Sequence, residues 1–279
     1  MIGYQLRNEL WKMFGKKRTY IGFTVFFLAQ AAILGLFRFT HGPRREMVHR
    51  LELLGYAPQK YISNLTMAAA VLVPMAYILM PLYLTLVGGD LLAKEAEDGT
   101  LRMILARPIS RVRLTLVKWM AGVVFSLLLT ATLGALGAAV ASCLFPPGGL
   151  FAMVPTEGIF NLFDPAPGWR RYALATLFLT AKAVTVMGMG LMFSCFNVKP
   201  AAATILALSL LMTVRIIQEI PYFHDMQQWF FTYHLNFWLK MFAENPPWPE
   251  MAQSLSLLCG FNVTLLVIGC VVFQVRDIK

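Results

Sequence analysis

Apolar residues run along this chain in six long blocks, parted by shorter polar stretches. The blocks are Thr19–Phe39, Ile62–Leu92, Leu114–Phe145, Tyr172–Phe196, Ala201–Ile220 and Ser254–Phe273. Each reaches the ~20 residues that an α-helix needs to cross a hydrocarbon core about 30 Å thick. The second holds Pro74 and Pro81 and is longer than a straight span requires, which predicts a kink or a tilt. The third carries Gly134 and Gly137 among alanines, small residues that let helices approach closely. The pattern predicts an all-α polytopic membrane protein, with six transmembrane helices in one membrane domain over residues 19–279.

Residues 1–18 follow a different period. Ile2, Leu6, Leu10, Met13 and Phe14 recur at helical spacing, while Arg7, Asn8, Lys12 and Lys16 fall elsewhere. That predicts an amphipathic helix lying in the membrane interface. The first apolar block has no small-residue cleavage site after it, so it reads as a span and not as a signal peptide. The connections differ in character. Residues 40–61 carry Arg44, Arg45, Glu46, Arg50 and Glu52; residues 93–113 form a charged hairpin; residues 146–171 are a Pro/Gly-rich loop. Residues 221–250 are crowded with rings, among them Tyr222, Phe223, Trp229, Phe230, Phe231, Tyr233, Phe237, Trp238, Phe242 and Trp248. Amphipathic rings prefer the headgroup level, so this segment is expected to form short helices along the outer interface, as a lid over the path or as a plain anchor.

Composition agrees with the block pattern. The chain is 58% hydrophobic and 14% charged, against about 25% charged in soluble domains. Lipid must therefore solvate much of its surface. The net charge of +10 reads as lysines and arginines at cytoplasmic span ends, not as nucleic-acid binding. Most of them lie in the N-terminus, the 93–118 hairpin, the 197–200 turn and the tail, which places both termini in the cytoplasm. The expected location is the cell (inner or plasma) membrane.

Chemistry is sparse. There is no GxxxxGK[ST] phosphate loop and no HExxH, GxSxG or GxGxxG, so no catalytic, cofactor-binding or metal-ligating set is expected on this chain. Cys143, Cys195, Cys259 and Cys270 fall in apolar stretches and read as small buried hydrophobes. His41, His49, His224 and His234 fall in the outer connections, at spacings that match no ligand pattern. A secondary transporter would need paired ionisable residues deep in the spans. Only Lys182 lies near mid-span, without an acidic partner at that depth; it is expected to face a seam between subunits or a wet translocation path. The histidines and the 16 methionines leave room for a metal- or sulfur-delivery permease.

The hairpin carries the most information. Acids precede a Gly99-Thr100 break; a short helix then presents Leu101, Ile104 and Leu105 on one face; Pro108 ends it, and Ser110 can cap the next helix. A compact knuckle results, and its apolar stripe is expected to find no cover within this chain and to need a partner.

The run Glu95-x-Glu97-Asp98-Gly99-Thr100-Leu101-Arg102-x-x-Leu105-x-Arg107-Pro108-x-Ser110-Arg111, followed by Lys118, closely resembles the signature of ABC type-2 export permeases. The tail Phe273-x-x-Arg276-Asp277-Ile278 is similar to that family's usual ending. The resemblance implies the membrane subunit of an exporter driven by a separate ATP-binding cassette ATPase, with ATP and magnesium held on that partner. It implies pairing with a second copy or a paralogous permease, leaves room for accessory proteins in the membrane or periplasm, and does not fix the substrate. It implies a coupling hairpin in which Glu95, Glu97, Gly99, Thr100, Leu101, Arg102, Leu105, Arg107, Pro108 and Arg111 dock the ATPase and relay its closure. It also implies a re-entrant or interfacial helical segment before the last span.

Overall fold

The computed structural model describes residues 2–40, 48–49, 51–53, 55–56, 58–106, 109–154 and 158–276. Among the described residues, six helices are long and apolar enough to cross a membrane. Helix α1 (Ile2–Phe14) leads into α2 (Lys17–Phe39). The second span, α3, is Asn64–Glu97. The short α4 (Thr100–Leu105) and the 34-residue α5 (Arg111–Leu144) follow. After a β-hairpin come α6 (Pro165–Ser194), α7 (Pro200–Gln218) and α8 (Trp248–Val275). Six crossings put α1, α4 and the end of α8 on one face, here the proximal face, and the β-hairpin on the other, the distal face.

The predicted irregularity of the second span is local and has a cause. Pro74 offers no N–H, and the ladder loosens into a π-helical turn over Met75–Leu79 before α-geometry resumes at Met80. Helix α6 is the central post. In its most apolar stretch 67% of residues are buried, against 22% in α2, α7 and α8, whose outer faces are left for lipid. Helix α3 packs closest to α6 through glycines. A Cβ on Gly88 would stand 2.3 Å from the Met187 carbonyl oxygen, and one on Gly190 would stand 2.7 Å from that of Thr85. Backbones this close gain dispersion contacts that lipid cannot supply. Polar side chains inside the bundle pair across helices: Gln30 donates to the Leu133 carbonyl at 3.0 Å, and Asn262 donates to Thr185 Oγ1 at 2.8 Å.

Two expectations need correction. The 146–171 connection is not loop throughout: β1 (Leu150–Val154) pairs antiparallel with β2 (Ile159–Phe163). This hairpin is pinned to α3, since the Phe151 N–H donates to Thr66 Oγ1 at 2.8 Å and Ser63 Oγ donates to the Gly149 carbonyl at 2.6 Å. Helix α1 lays Met13, Leu6, Leu10 and Phe14 on the bundle and leaves Tyr4 and Trp11 exposed. Of the cysteines, all free, Cys195 is buried but Cys143 and Cys259 are exposed on helix surfaces. Arg44, Arg45, Glu46, Arg50 and His41 lie outside the described residues.

Candidate functional site

The knuckle on the proximal face is built by a sharp reversal. Helix α3 ends at Glu97, and Gly99 takes φ +71°, a left-handed conformation that a side chain would strain. Thr100 Oγ1 donates back to the Glu95 carbonyl at 3.2 Å, and α4 begins. It stops at Leu105, three positions before Pro108 in the sequence; Arg107 and Pro108 lie outside the described residues. Ser110 caps α5 by accepting from the Arg113 N–H at 3.3 Å, as its position predicts.

The apolar stripe does have cover within the chain, contrary to the sequence expectation. Leu101 is 1% exposed and sits in a small core with Leu92, Leu114, Cys195 and Phe273. Ile104 and Leu105 are partly buried against the same core. The stripe meets the proximal ends of α3, α5, α6 and α8, which the linear sequence cannot display. The outward face of the knuckle carries Glu97, Asp98, Gly99, Arg102, Met103 and Ala106 instead, with Met103 67% exposed.

Two polar devices fasten the knuckle. Arg111 Nη1 donates to the carbonyls of Phe273 at 2.9 Å, Gln274 at 3.1 Å and Arg276 at 2.6 Å, and its guanidinium lies 5.6 Å from the Phe273 ring centroid. These carbonyls belong to the open end of α8, where a cation is favoured. Arg276 in turn donates to the Phe196 carbonyl at 2.9 Å. The family-like ending is therefore a clasp: Phe273 fills the knuckle core and Arg276 ties it to α6. The second device is an ion cluster. Lys118, 1% exposed, reaches Glu9 at 3.1 Å and Glu95 at 2.8 Å. Lys12 reaches Glu9 at 2.8 Å and Glu95 at 3.4 Å. Alternating charges thus lock α1, α3 and α5 together. Burial pushes the Glu9 carboxyl up, but Lys118 and Lys12 outweigh it and hold it below the usual carboxylate range. Burial pulls the Lys12 ammonium down, while Glu9 and Glu95 more than restore it, so it sits above its ordinary value. Burial holds Lys16 below its ordinary value.

The resemblance-derived positions thus separate. Glu97, Gly99 and Arg102 lie on the open face; Thr100 and Leu105 are intermediate; Leu101, Glu95 and Arg111 turn inward as fasteners. Sequence reading missed Glu9 and Lys12 as partners of this site. The available signal was Lys118, the eighth residue of α5 and the start of its long apolar run, a charge that demands a counter-ion. A cavity of about 800 Å³ opens beside the cluster between α1, α3, α4 and α5, lined by Glu9, Lys12, Lys94, Glu95, Met103 and Lys118 among others.

At the distal end the ring-rich segment is only half as expected. A 3₁₀ stretch, Pro221–Trp229, stays outside, with Tyr222 82% and Trp229 79% exposed. The rest re-enters the bundle: a helical turn at Phe231–His234, then a 3₁₀ turn at Phe237–Phe242 in which Phe237, Trp238, Leu239, Met241 and Phe242 are buried. Arg171 on α6 anchors it by donating to the carbonyls of Met241, Ala243 and Glu244 at 2.9, 2.6 and 2.6 Å. His234 is held by Ser254 Oγ at 3.0 Å and the Gln228 carbonyl at 2.9 Å. Lys182 lies under this segment, buried inside the chain, with Asn236 Oδ1 at 3.3 Å and the Tyr77 ring centroid at 4.1 Å. Arg215 pairs with Glu219 one turn further on, at 2.9 Å.

A search among curated proteins finds no match. A family model described as ABC-2 family transporter protein matches residues 5–162, from α1 through the knuckle into β2. That stretch holds Glu9, Lys12, Glu95, Gly99, Leu101, Arg111 and Lys118, so the whole ion cluster and most of the knuckle lie inside the matched segment. More than half of the sequence is thereby accounted for, and the chain belongs to the ABC-2 transporter family, as a membrane-embedded permease component.

Proposed function

We propose that this chain is the permease subunit of an ATP-driven exporter, and that a separate ATPase docks on the outward face of the knuckle. The proximal face is then cytoplasmic, in keeping with its excess of Lys and Arg. The observation that carries the reading is the clasped knuckle. Its outer side offers Glu97, Asp98, Arg102 and the exposed Met103, while its inner side is fastened to α1, α5, α6 and α8. A force applied to the open side therefore moves the proximal ends of several spans together. A second copy of the chain, or a paralogue, completes the translocation path on this reading. ATP and magnesium stay on the partner.

The test is co-purification of the ATPase with the permease, together with ATPase activity in reconstituted membranes. Met103→Asp and Arg102→Glu should lower ATPase retention at least tenfold while the thermal midpoint of the permease holds. The exposed methionine supplies apolar contact, and the charges set orientation and capture rate. Retention and coupled hydrolysis at wild-type levels in both variants would remove the knuckle from the docking surface.

A further inference from the structure

Lys182 is 4% exposed. Its ammonium meets one amide oxygen, Asn236 Oδ1 at 3.3 Å, and the face of Tyr77 at 4.1 Å. Among the described residues no carboxylate comes within salt-bridge range of it. Lys182 stands 12 positions before Ser194, about 18 Å along the helix from its proximal end at 1.5 Å per residue, near the middle of the span. An ammonium at that depth calls for an anion or for water.

A second cation shares the same ring. Arg215 Cζ lies 5.6 Å from the Tyr77 centroid, and its side chain is one-third exposed. Tyr77 comes from the π-helical turn after Pro74, a kind of irregularity that often marks functional positions. Exposure falls from Arg215, the outer edge of this group, across the shared ring to the buried Lys182. Glu219 occupies Arg215 but is itself 64% exposed, so a competing anion can displace it or share the guanidinium fork. Ile78, next to Tyr77 in the chain, and Met212 and Ile216, within a turn of Arg215 on α7, are exposed apolar side chains.

We propose that Lys182, Tyr77 and Arg215 form a binding site for the anionic head of a membrane-partitioned amphiphile, a carboxylate or phosphate on an apolar tail. The head supplies the missing negative charge, and the exposed apolar side chains flanking Tyr77 and Arg215 accept the tail. Two sources share this chemistry: a transported cargo, in which case the inference rests on the permease reading, or a resident anionic phospholipid. Cationic ligands are rejected by two like charges on one ring.

The full-length chain, purified in an uncharged maltoside detergent, is titrated with dodecyl phosphate, with dodecyl phosphocholine as the zwitterionic control. The expected result is saturable binding of dodecyl phosphate alone. It should weaken at least tenfold in Lys182→Met and severalfold in Arg215→Gln, and survive in Lys182→Arg. Arg215→Gln, at the outer edge, carries the test should Lys182→Met fail to fold. Equal affinity in wild type and Arg215→Gln, or equal binding of the zwitterionic control, overturns the proposal. In proteoliposomes holding the chain with its ATPase, ATP-dependent transfer of dodecyl phosphate between leaflets identifies cargo. Absence of transfer, with phosphatidylglycerol retained on the wild type and lost from Lys182→Met by native mass spectrometry, identifies a resident lipid. The titration needs no ATPase, so failure of the permease reading and failure of the anion site are separate results.

Discussion

Lys118 shows how much one side chain can be asked to hold. It is buried between two carboxylates that come from different helices, Glu9 at 3.1 Å and Glu95 at 2.8 Å. Lys118→Met leaves those carboxylates facing each other with only Lys12 to balance them. Removing one partner of a buried ion pair costs about 3–5 kcal/mol, so the thermal midpoint in detergent should fall sharply. Adding Glu95→Gln should recover part of the loss. The same cluster sets a pH range. Glu9 is held below its ordinary 4.5, so its stabilisation is full above that value and is lost as pH falls through the lowered one. Lys12 is raised above 10.5, so its contribution is full below that value and is lost as pH climbs through the raised one. Thermal midpoints measured from acid to alkali should show a plateau between these limits and a decline beyond each; a flat profile in Lys118→Met would trace the declines to the cluster. Lys118 was visible in the sequence because a charge in an apolar run must be answered. Glu9 was not, because a partner 109 positions away leaves no local trace.

Helix α4 divides its residues by face, and the faces predict opposite phenotypes. Leu101 is sealed in the small proximal core. Burial of such a side chain is worth about 1.5–3 kcal/mol, and a buried carboxylate adds a desolvation cost. Leu101→Asp should therefore lower the stability of the permease itself, whereas Met103→Asp should leave it unchanged and act only on docking. Thermal unfolding of the two purified variants separates these outcomes. Helical spacing alone marked Leu101, Ile104 and Leu105 as a stripe, correctly. It could not say what covered them, because the cover comes from α3, α5, α6 and α8 together. The ring-rich segment behaves similarly. Ring content indicated an interface, and Tyr222 and Trp229 lie exposed as a belt would. Phe237 and Trp238 turn into the bundle, and Arg171 and Asn161 satisfy the carbonyls of Met241, Phe242 and Ala243 at the end of the same turn. A cysteine at Gln228 should react with an impermeant thiol reagent applied from the distal side, and one at Asn236, 6% exposed, should react only after denaturation. Equal labelling of both positions would return the whole segment to the surface.

For the molecule as a whole, the six spans were legible because their signal is physical and cumulative: length and hydropathy are set by the hydrocarbon thickness. The β-hairpin was not, since two five-residue strands carry too little alternation to stand out from a Pro/Gly-rich loop. The centrality of α6 was not legible either. All six blocks are apolar, and only packing distinguishes a helix that faces protein from one that faces lipid. The residues that do reveal α6 as central are Gly188 and Gly190 within it, and their meaning depends on knowing that Asn262 of α8 lies opposite the first and Gly88 of α3 opposite the second.

The Arg111 clasp also imposes an order in time. Arg111 and the carbonyl it grips at Phe273 are 162 positions apart, with four spans, α5 to α8, made between them. At roughly 5–20 residues per second of synthesis, the knuckle emerges some 10–30 s before its fastener. During that interval Leu101 lacks Phe273, and Arg111 has no helix end to hold. On the proposed function, an ATPase that recognises the fastened shape would ignore a half-made permease, and assembly would begin with the arrival of α8. Ribosome-stalled chains ending before Trp248 should then fail to recruit the ATPase, and chains extended past Arg276 should succeed. Recruitment by the shorter chains would mean that the knuckle is recognised without its fastener.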